Sequence, residues 1–196
     1  MPEGLLIAIL AAGASRRLGQ PKQLVKFDNE PLLRRQCRVA VESQVGCVTA
    51  ILGCHADLCA TELRGLQVAV RRNEGWEEGL ASSIREATCA AIESNSAGLL
   101  ILHCDHYKVS VEDLQRLHAA WSDRGRSKVC RARHESYAGP PVIFPARCFS
   151  DLQLLQGDEG ARRIISALGS LIIDVEMPNA AYDLDLPEQL ADLMKS

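Results

Sequence analysis

Seven short apolar runs recur along the chain, at Leu5–Ala12, Cys47–Leu52, Leu66–Val70, Leu99–His103, Lys128–Ala132, Pro141–Phe144 and Leu171–Val175. Runs of this length, bounded by turn-forming residues, predict strands buried within a sheet. Between them the period changes. Leu80, Ile84, Ala87 and Ala91 repeat at i, i+4, i+7 and i+11, the spacing of one helix face. Val111, Leu114, Leu117 and Trp121 predict a second helix, with Ser110 as its N-cap. Pro31 suits the first turn of a helix carrying Leu33, Cys37 and Ala40. Asp158 is placed to cap a helix bearing Ala161, Ile164 and Ile165, which Gly169 would close. Strands alternating with helices imply βαβ units and a mainly parallel sheet. Ser127 to Phe144 holds two strand-like runs with no helix between them, which predicts a local antiparallel excursion. No repeat or linker divides the chain. The expectation is a single α/β domain over residues 1–196, Rossmann-like and three-layered, with a mostly parallel sheet.

Composition narrows the class. At 47% hydrophobic and 24% charged, the 196 residues are globular in type and sufficient for a full core. A net charge of −3 gives no ground for expecting nucleic-acid or membrane partners. No apolar run approaches the ~20 residues that span a bilayer, and the first residues lack a basic signal-peptide region, so a cytoplasmic location is expected. The eight cysteines form no Cys-x-x-Cys pair, which removes zinc-ribbon and thioredoxin spacings. Most lie in apolar runs, Gly46-Cys47-Val48 and Val129-Cys130 among them, and are expected to pack as small hydrophobes. His103-Cys104-Asp105-His106 invites a metal reading, but side chains alternate along a strand, so all four cannot face one ion. Asp105 alone is the more economical candidate.

The chemistry concentrates first in Leu10-Ala11-Ala12-Gly13-Ala14-Ser15-Arg16-Arg17-Leu18-Gly19, which leads into Gln20-Pro21-Lys22-Gln23-Leu24. Small residues after a buried strand let backbone N–H groups approach an anion closely, and a concave row of amides binds phosphate. Arg17 and Lys22 add the positive charge that departing pyrophosphate needs. The loop is neither a Walker A sequence nor a G-x-G-x-x-G fingerprint. A plain strand-to-helix turn with solvated arginines is its other reading.

This series resembles the N-terminal signature of nucleotidyltransferases related to the molybdenum-cofactor enzymes, Leu-Ala-Ala-Gly-x-Ser-x-Arg-x-Gly followed by Lys-Gln-Leu. Within that group it is most similar to the molybdenum cofactor cytidylyltransferase branch. The resemblance implies a nucleotide-diphospho-sugar transferase-like fold, with nucleotide bound by the N-terminal half and acceptor by the C-terminal half. It implies Leu10, Ala11, Ala12, Gly13, Ala14 and Ser15 as nucleotide contacts, and Arg17, Lys22 and Asp105 as catalytic residues. Asp105, just beyond an apolar strand, is where the family binds its metal; taken alone it could equally cap a turn.

Further motifs carry the resemblance along the chain. Asn73-Glu74-Gly75-Trp76-Glu77-Glu78-Gly79-Leu80-Ala81-Ser82-Ser83 resembles Asn-x-x-Trp-x-x-Gly-x-x-Ser-Ser, in which Gly79 would let a flat base approach and Ser83 would bond it. The same residues would also simply begin a helix, and Trp76 is either core or beside the site. Tyr182-Asp183-Leu184-Asp185-Leu186-Pro187-Glu188 stands where the family supplies a second metal ligand, with Asp185 the first choice and Asp183 the alternate. As an N-cap, Asp185 has a second reading. Ala138-Gly139-Pro140-Pro141-Val142-Ile143-Phe144 and Gly157-Asp158-Glu159-Gly160-Ala161-Arg162 resemble acceptor-side motifs, with Gly139, Asp158 and Arg162 as candidate acceptor contacts. A capped turn explains the latter segment equally. Departures are His106 and Tyr107 where the family has Gln-Pro, Pro140 in place of histidine, and Leu186 in place of threonine.

The implied reaction transfers CMP from CTP to the phosphate of the molybdenum–molybdopterin cofactor, with Mg²⁺ held by Asp105 and Asp185. A phosphate monoester is already anionic near neutral pH, so no general base is needed; His103 and His106 are not assigned as catalysts. Transient contact with molybdoenzymes or their chaperones is implied too. Open alternatives are guanylyl transfer, a sugar-phosphate acceptor, and a non-catalytic module that delivers cofactor.

Overall fold

The first apolar run becomes β1 (Leu5–Ala11) in the computed structural model, which describes residues 4–184, and all its side chains are buried. Alternation divides them between two cores. Leu5, Ile7, Ile9 and Ala11 join one; Leu6, Ala8 and Leu10 join the other. A strand apolar on both faces is stable only between two covering layers, and helices supply them.

The chain continues through a short hairpin of β2 (Lys26–Phe27) and β3 (Glu30–Pro31), then α1 (Leu32–Ser43), β4 (Cys47–Leu52), α2 (Ala56–Glu62) and β5 (Val68–Arg72). It returns through α3 (Leu80–Glu93), β6 (Gly98–His103), α4 (Val111–Asp123), β7 (Val129–His134) and β8 (Tyr137–Pro145). It then passes α5 (Phe149–Gln153), α6 (Arg162–Ala167) and β9 (Ile172–Glu176). The main sheet has the order β5-β4-β1-β6-β8-β7-β9. Only β8 runs against the other six strands, pairing antiparallel with both β6 and β7. Side chains of α1, α2 and α4 fill the core on the Ile7 face, and those of α3, α5 and α6 fill the Leu10 face.

Ser110 caps α4 as expected. Its Oγ accepts from the Asp113 N–H at 3.3 Å, and the Asp113 carboxylate accepts from the Ser110 N–H at 3.0 Å. A cap of this kind contributes about 1 kcal/mol.

Several elements depart from expectation. The third strand starts at Val68 rather than Leu66 and is largely exposed, because it forms the sheet's edge. The sixth begins at Tyr137 rather than Pro141, since Tyr137 and Ala138 pair with β7 across the hairpin. Asp158 caps no helix; α6 starts at Arg162 after Ala161 and has no side-chain cap. Of the eight free cysteines, Cys37, Cys59, Cys104, Cys130 and Cys148 are buried, but Cys47 is exposed at the start of β4. Burial pushes the Cys37 thiol up to about 12 and the Cys130 thiol to about 11, so these stay protonated and unreactive. No helix among the described residues is long and apolar enough to cross a membrane.

From β1 the chain winds outward to β4 and β5, then returns to β6 on the other side of β1. That reversal is a topological switch point. Loops leaving the carboxyl ends of β1 and β6 diverge there and open a crevice, the usual ligand position in such sheets.

Candidate functional site

The loop after β1 is shaped from beneath by one buried side chain. The amide of Gln23, fully buried, donates to the carbonyls of Ala11 at 2.9 Å and Gly13 at 2.7 Å. The Cys54 N–H donates to the Ala12 carbonyl at 2.9 Å. Three successive carbonyls are thereby engaged on the protein side, where they do not repel an anion. Ser15, at φ +53°, accepts from the Lys22 N–H at 3.0 Å and closes the loop. Gly53 is required behind it, because a Cβ there would stand 2.8 Å from Ala12 Cβ and 2.6 Å from Trp76 Cβ.

The turn after β6 carries the acidic group. The Cys104 N–H donates to the Leu10 carbonyl at 3.2 Å, and the Tyr107 N–H to the Asp105 carbonyl at 2.9 Å. From α1, the Gln36 amide donates to the His106 carbonyl at 2.8 Å and Arg35 Nε to the Tyr107 carbonyl at 2.9 Å. This anchoring leaves Asp105 only 4% exposed and in direct ion-pair contact with Lys22. Its Oδ1 is buried with no hydrogen-bond partner among the described residues. Burial by itself would raise the Asp105 carboxyl, but Lys22, His103 and His106 outweigh it and hold the group below its ordinary value. Asp105 is therefore a carboxylate throughout the neutral range.

The two loops bound a cavity of about 380 Å³. Leu10, Ala12, Gly13, Ala14, Lys22, Gly79, Ser83 and Asp105 line it, so most of the residues expected to touch nucleotide or metal converge on one space. Ala11 is buried in β1 and Ser15 shapes the loop; neither lines the cavity. Arg17 is exposed and lies outside the lining, whereas Arg16 is within it. Trp76, half-buried, stands beside the site rather than in the core.

A second, mainly apolar cavity of about 210 Å³ adjoins the first, walled by Ile101, Val142 and Phe144 and edged by Arg131, Gly139, Pro140 and Arg162. Leu80 and His103 line both spaces. Of the candidate acceptor contacts, Gly139 and Arg162 fall here, but Asp158 lines the larger cavity.

Asp158 is there because the two halves of the chain are clamped together. The Ala81 N–H donates to the Gly157 carbonyl at 3.0 Å, and the Gly157 N–H donates to Glu78 at 3.1 Å. Arg85 binds Glu78 at 2.8 Å and the Leu155 carbonyl at 2.7 Å. Arg85 first, and then the Gly157 N–H, hold the Glu78 carboxyl down at about 2. Gly79 has φ +124°, and a Cβ on it would meet Asp158 Oδ1 at 2.3 Å and the Gly157 carbonyl oxygen at 2.6 Å. The close approach that Gly79 permits is thus made by this loop. Ser83 is buried and accepts from the Asn73 amide at 3.0 Å, while Ser82 donates to the Gly79 carbonyl at 2.8 Å.

Asp185 lies outside the described residues. Asp183 is half-buried. Burial raises the Tyr137 phenol, and Asp183 and Asp105 both push it further, so the two carboxylates act on one hydroxyl.

Cys104, the first residue past β6, packs into the core on the Ile7 face, as expected. Alternation does not separate the other three. The strand ends at His103 and the following turn folds back, so that ligand atoms of His103, Asp105 and His106 all lie within 4.8 Å of one another.

The small-residue loop after β1, the Lys22–Asp105 ion pair and two adjoining cavities thus meet at the carboxyl ends of β1 and β6. The MobA-like NTP transferase domain matches residues 7–171. The chain belongs to this family. Purine catabolism protein PucB of Bacillus subtilis (strain 168) is 26% identical over 94% of this chain and 93% of its own length. A probable molybdenum cofactor guanylyltransferase of Nostoc sp. (strain PCC 7120) is 25% identical over 95% of this chain and 89% of its own. In fold, the crystal structure of Rv0371c from Mycobacterium tuberculosis H37Rv superposes with a TM-score of 0.81, covering 100% of both chains at 24% identity. The MobA-like domain therefore includes both loops and both cavities described above. Sequence reasoning had given no role to Gln23, Arg16 or His103; the Lys-Gln-Leu motif was the one available signal for Gln23.

Proposed function

We propose that the protein transfers CMP from CTP to the phosphate of a molybdopterin-type acceptor and releases pyrophosphate, in a reaction that Mg²⁺ supports. The observation that carries this reading is the ion pair of half-buried Lys22 with buried Asp105, where the loop after β1 meets the turn after β6. An acceptor phosphate oxygen attacks the α-phosphorus of the triphosphate, the bond from that phosphorus to the bridging oxygen breaks, and pyrophosphate departs. Such transfer depends on alignment and on neutralising charge, more than on covalent help from the protein.

Backbone amides between Ala12 and Ser15 cradle the triphosphate. Lys22 compensates charge on the leaving group, and Arg16 at the cavity wall reinforces it, with Arg17 further out on the same loop. The base lies toward Gly79 and Ser83. The acceptor enters the smaller cavity, where Arg162 and Gly139 stand at the edge. A buried carboxylate with one uncommitted oxygen fits a hard cation, so Asp105 would hold Mg²⁺, joined by Asp185 on the sequence resemblance. When bound, that ion neutralises charge on phosphate oxygens. The same reading places the protein in the cytoplasm, handing its product to molybdoenzymes or their chaperones.

One observation favours a second donor: the Nostoc relative is named a guanylyltransferase. Pyrophosphate release by purified protein, with Mg²⁺ and each of CTP, GTP, ATP and UTP, separates these readings. The expected result is release that requires the pterin and is fastest with CTP. Fastest release with GTP moves the donor; dependence on a sugar phosphate moves the acceptor. Nucleotide binding without release under every condition contradicts transfer itself.

A further inference from the structure

We propose that His103, Asp105 and His106 together form a binding site for a divalent first-row transition-metal ion, which this chain takes in preference to magnesium. The inference rests on the reading of Asp105 as a metal ligand, and adds to it the two imidazoles that flank it.

Three observations support it. Ligand atoms of the three side chains lie within 4.8 Å of one another, and Asp105 and His106 are buried while His103 is half-buried. Neighbouring ligands of a tetrahedral ion with bonds of ~2.1 Å stand ~3.4 Å apart, so side-chain rotation would draw the set together on binding. The cluster is also rigidly held. Its backbone is anchored to β1 through Cys104 and to α1 through Gln36, and the two imidazole centroids stand 5.6 Å apart, edge to face. The third observation is placement. His103 lines both cavities and Asp105 lines the larger one, so an ion on this set faces the donor and the acceptor spaces together. Three protein ligands with the remaining positions open toward substrate is the arrangement of a catalytic rather than a structural metal site.

Donor chemistry sets the preference. Magnesium takes oxygen ligands and keeps several waters. Imidazole suits zinc, iron, cobalt and nickel, and two imidazoles with one carboxylate form a recognised transition-metal set. The Lys22 ammonium already bonds Asp105 Oδ2, which leaves Oδ1 for the ion. Carboxylate and cation then share a residue, and the open positions suit phosphate oxygens.

Cobalt(II) is the probe, added to the purified full chain without nucleotide, with visible absorption and calorimetry as readouts. One Co²⁺ per chain is expected, bound with a d–d spectrum of nitrogen ligation and not displaced by Mg²⁺ in tenfold excess. His103→Ala and His106→Gln should each weaken binding by about tenfold or more, since even partners that only support a ligand are worth that much. The glutamine keeps side-chain volume at the buried position, and thermal melting checks each fold. His55, His118 and His134 remain in both variants and serve as controls for surface binding. Equal Co²⁺ affinity in wild type and both variants, or Co²⁺ held no more tightly than Mg²⁺, overturns the proposal. Pyrophosphate release with Mg²⁺ alone would then still uphold nucleotidyl transfer, so the two readings fail separately.

Discussion

Asp105→Asn is expected to lower the rate of pyrophosphate release by about 10³-fold, the order that loss of a charge-positioning group in a closed site produces. Asparagine nearly matches the carboxylate in shape, so no cavity forms beneath the turn. Loss of the carboxylate removes one partner of Lys22, whose side chain is 23% exposed and can turn toward water. The fold should accordingly survive. Rapid-mixing assays of pyrophosphate, paired with thermal melts, read the two consequences apart. Turnover within tenfold of wild type would remove Asp105 from the metal role.

The second large effect is expected at Lys22. Lys22→Ala should lower kcat by about 10²-fold, or ~3 kcal/mol, because the ammonium is aimed at charge that develops on the leaving pyrophosphate. A further signature follows from burial. In the wild type the Asp105 carboxyl sits below its ordinary value because Lys22 and the two imidazoles overcome desolvation. Without Lys22, desolvation gains weight and the carboxyl titrates at higher pH. The depressed group supports ionised Asp105 at any pH above its native value, so raising that value moves the acid limb of the kcat/KM profile upward. Lys22→Arg keeps the charge and should keep the wild-type limb. A rise in KM with kcat and the acid limb unchanged would contradict the assignment.

What could be read from the sequence was whatever local periodicity or a compact motif encodes. The run Leu5–Ala11, apolar on both faces, had to be an inner strand, and a loop of small residues after it had to sit at a carboxyl edge. The Ser110 cap, the helix faces and the antiparallel excursion followed from spacing of the same kind.

Long-range contacts were not legible. Asp158 reads as a cap from its neighbours, yet its place beside Gly79 is set by bonds between Glu78 and Gly157, far apart in the chain. Gln23 reads as one polar residue in a turn; its value lies in reaching the carbonyls of Ala11 and Gly13. Arg16 and Arg17 are adjacent in an irregular turn, where no period distinguishes the one facing the crevice. The nearness of His103 to His106 was hidden for a sharper reason. Strand alternation was extended past the point where the strand stops, and the turn beyond it folds the second imidazole back toward the first.

The central claim is that the crevice between the ends of β1 and β6 holds a nucleoside triphosphate by its phosphates. A crystal structure with a non-hydrolysable CTP analogue measures this directly. The account predicts phosphates against the backbone of Gly13 and Ala14, within contact of Lys22, with the base turned toward Gly79 and Ser83. An analogue seated elsewhere, or one with its phosphates directed away from this loop, would contradict it.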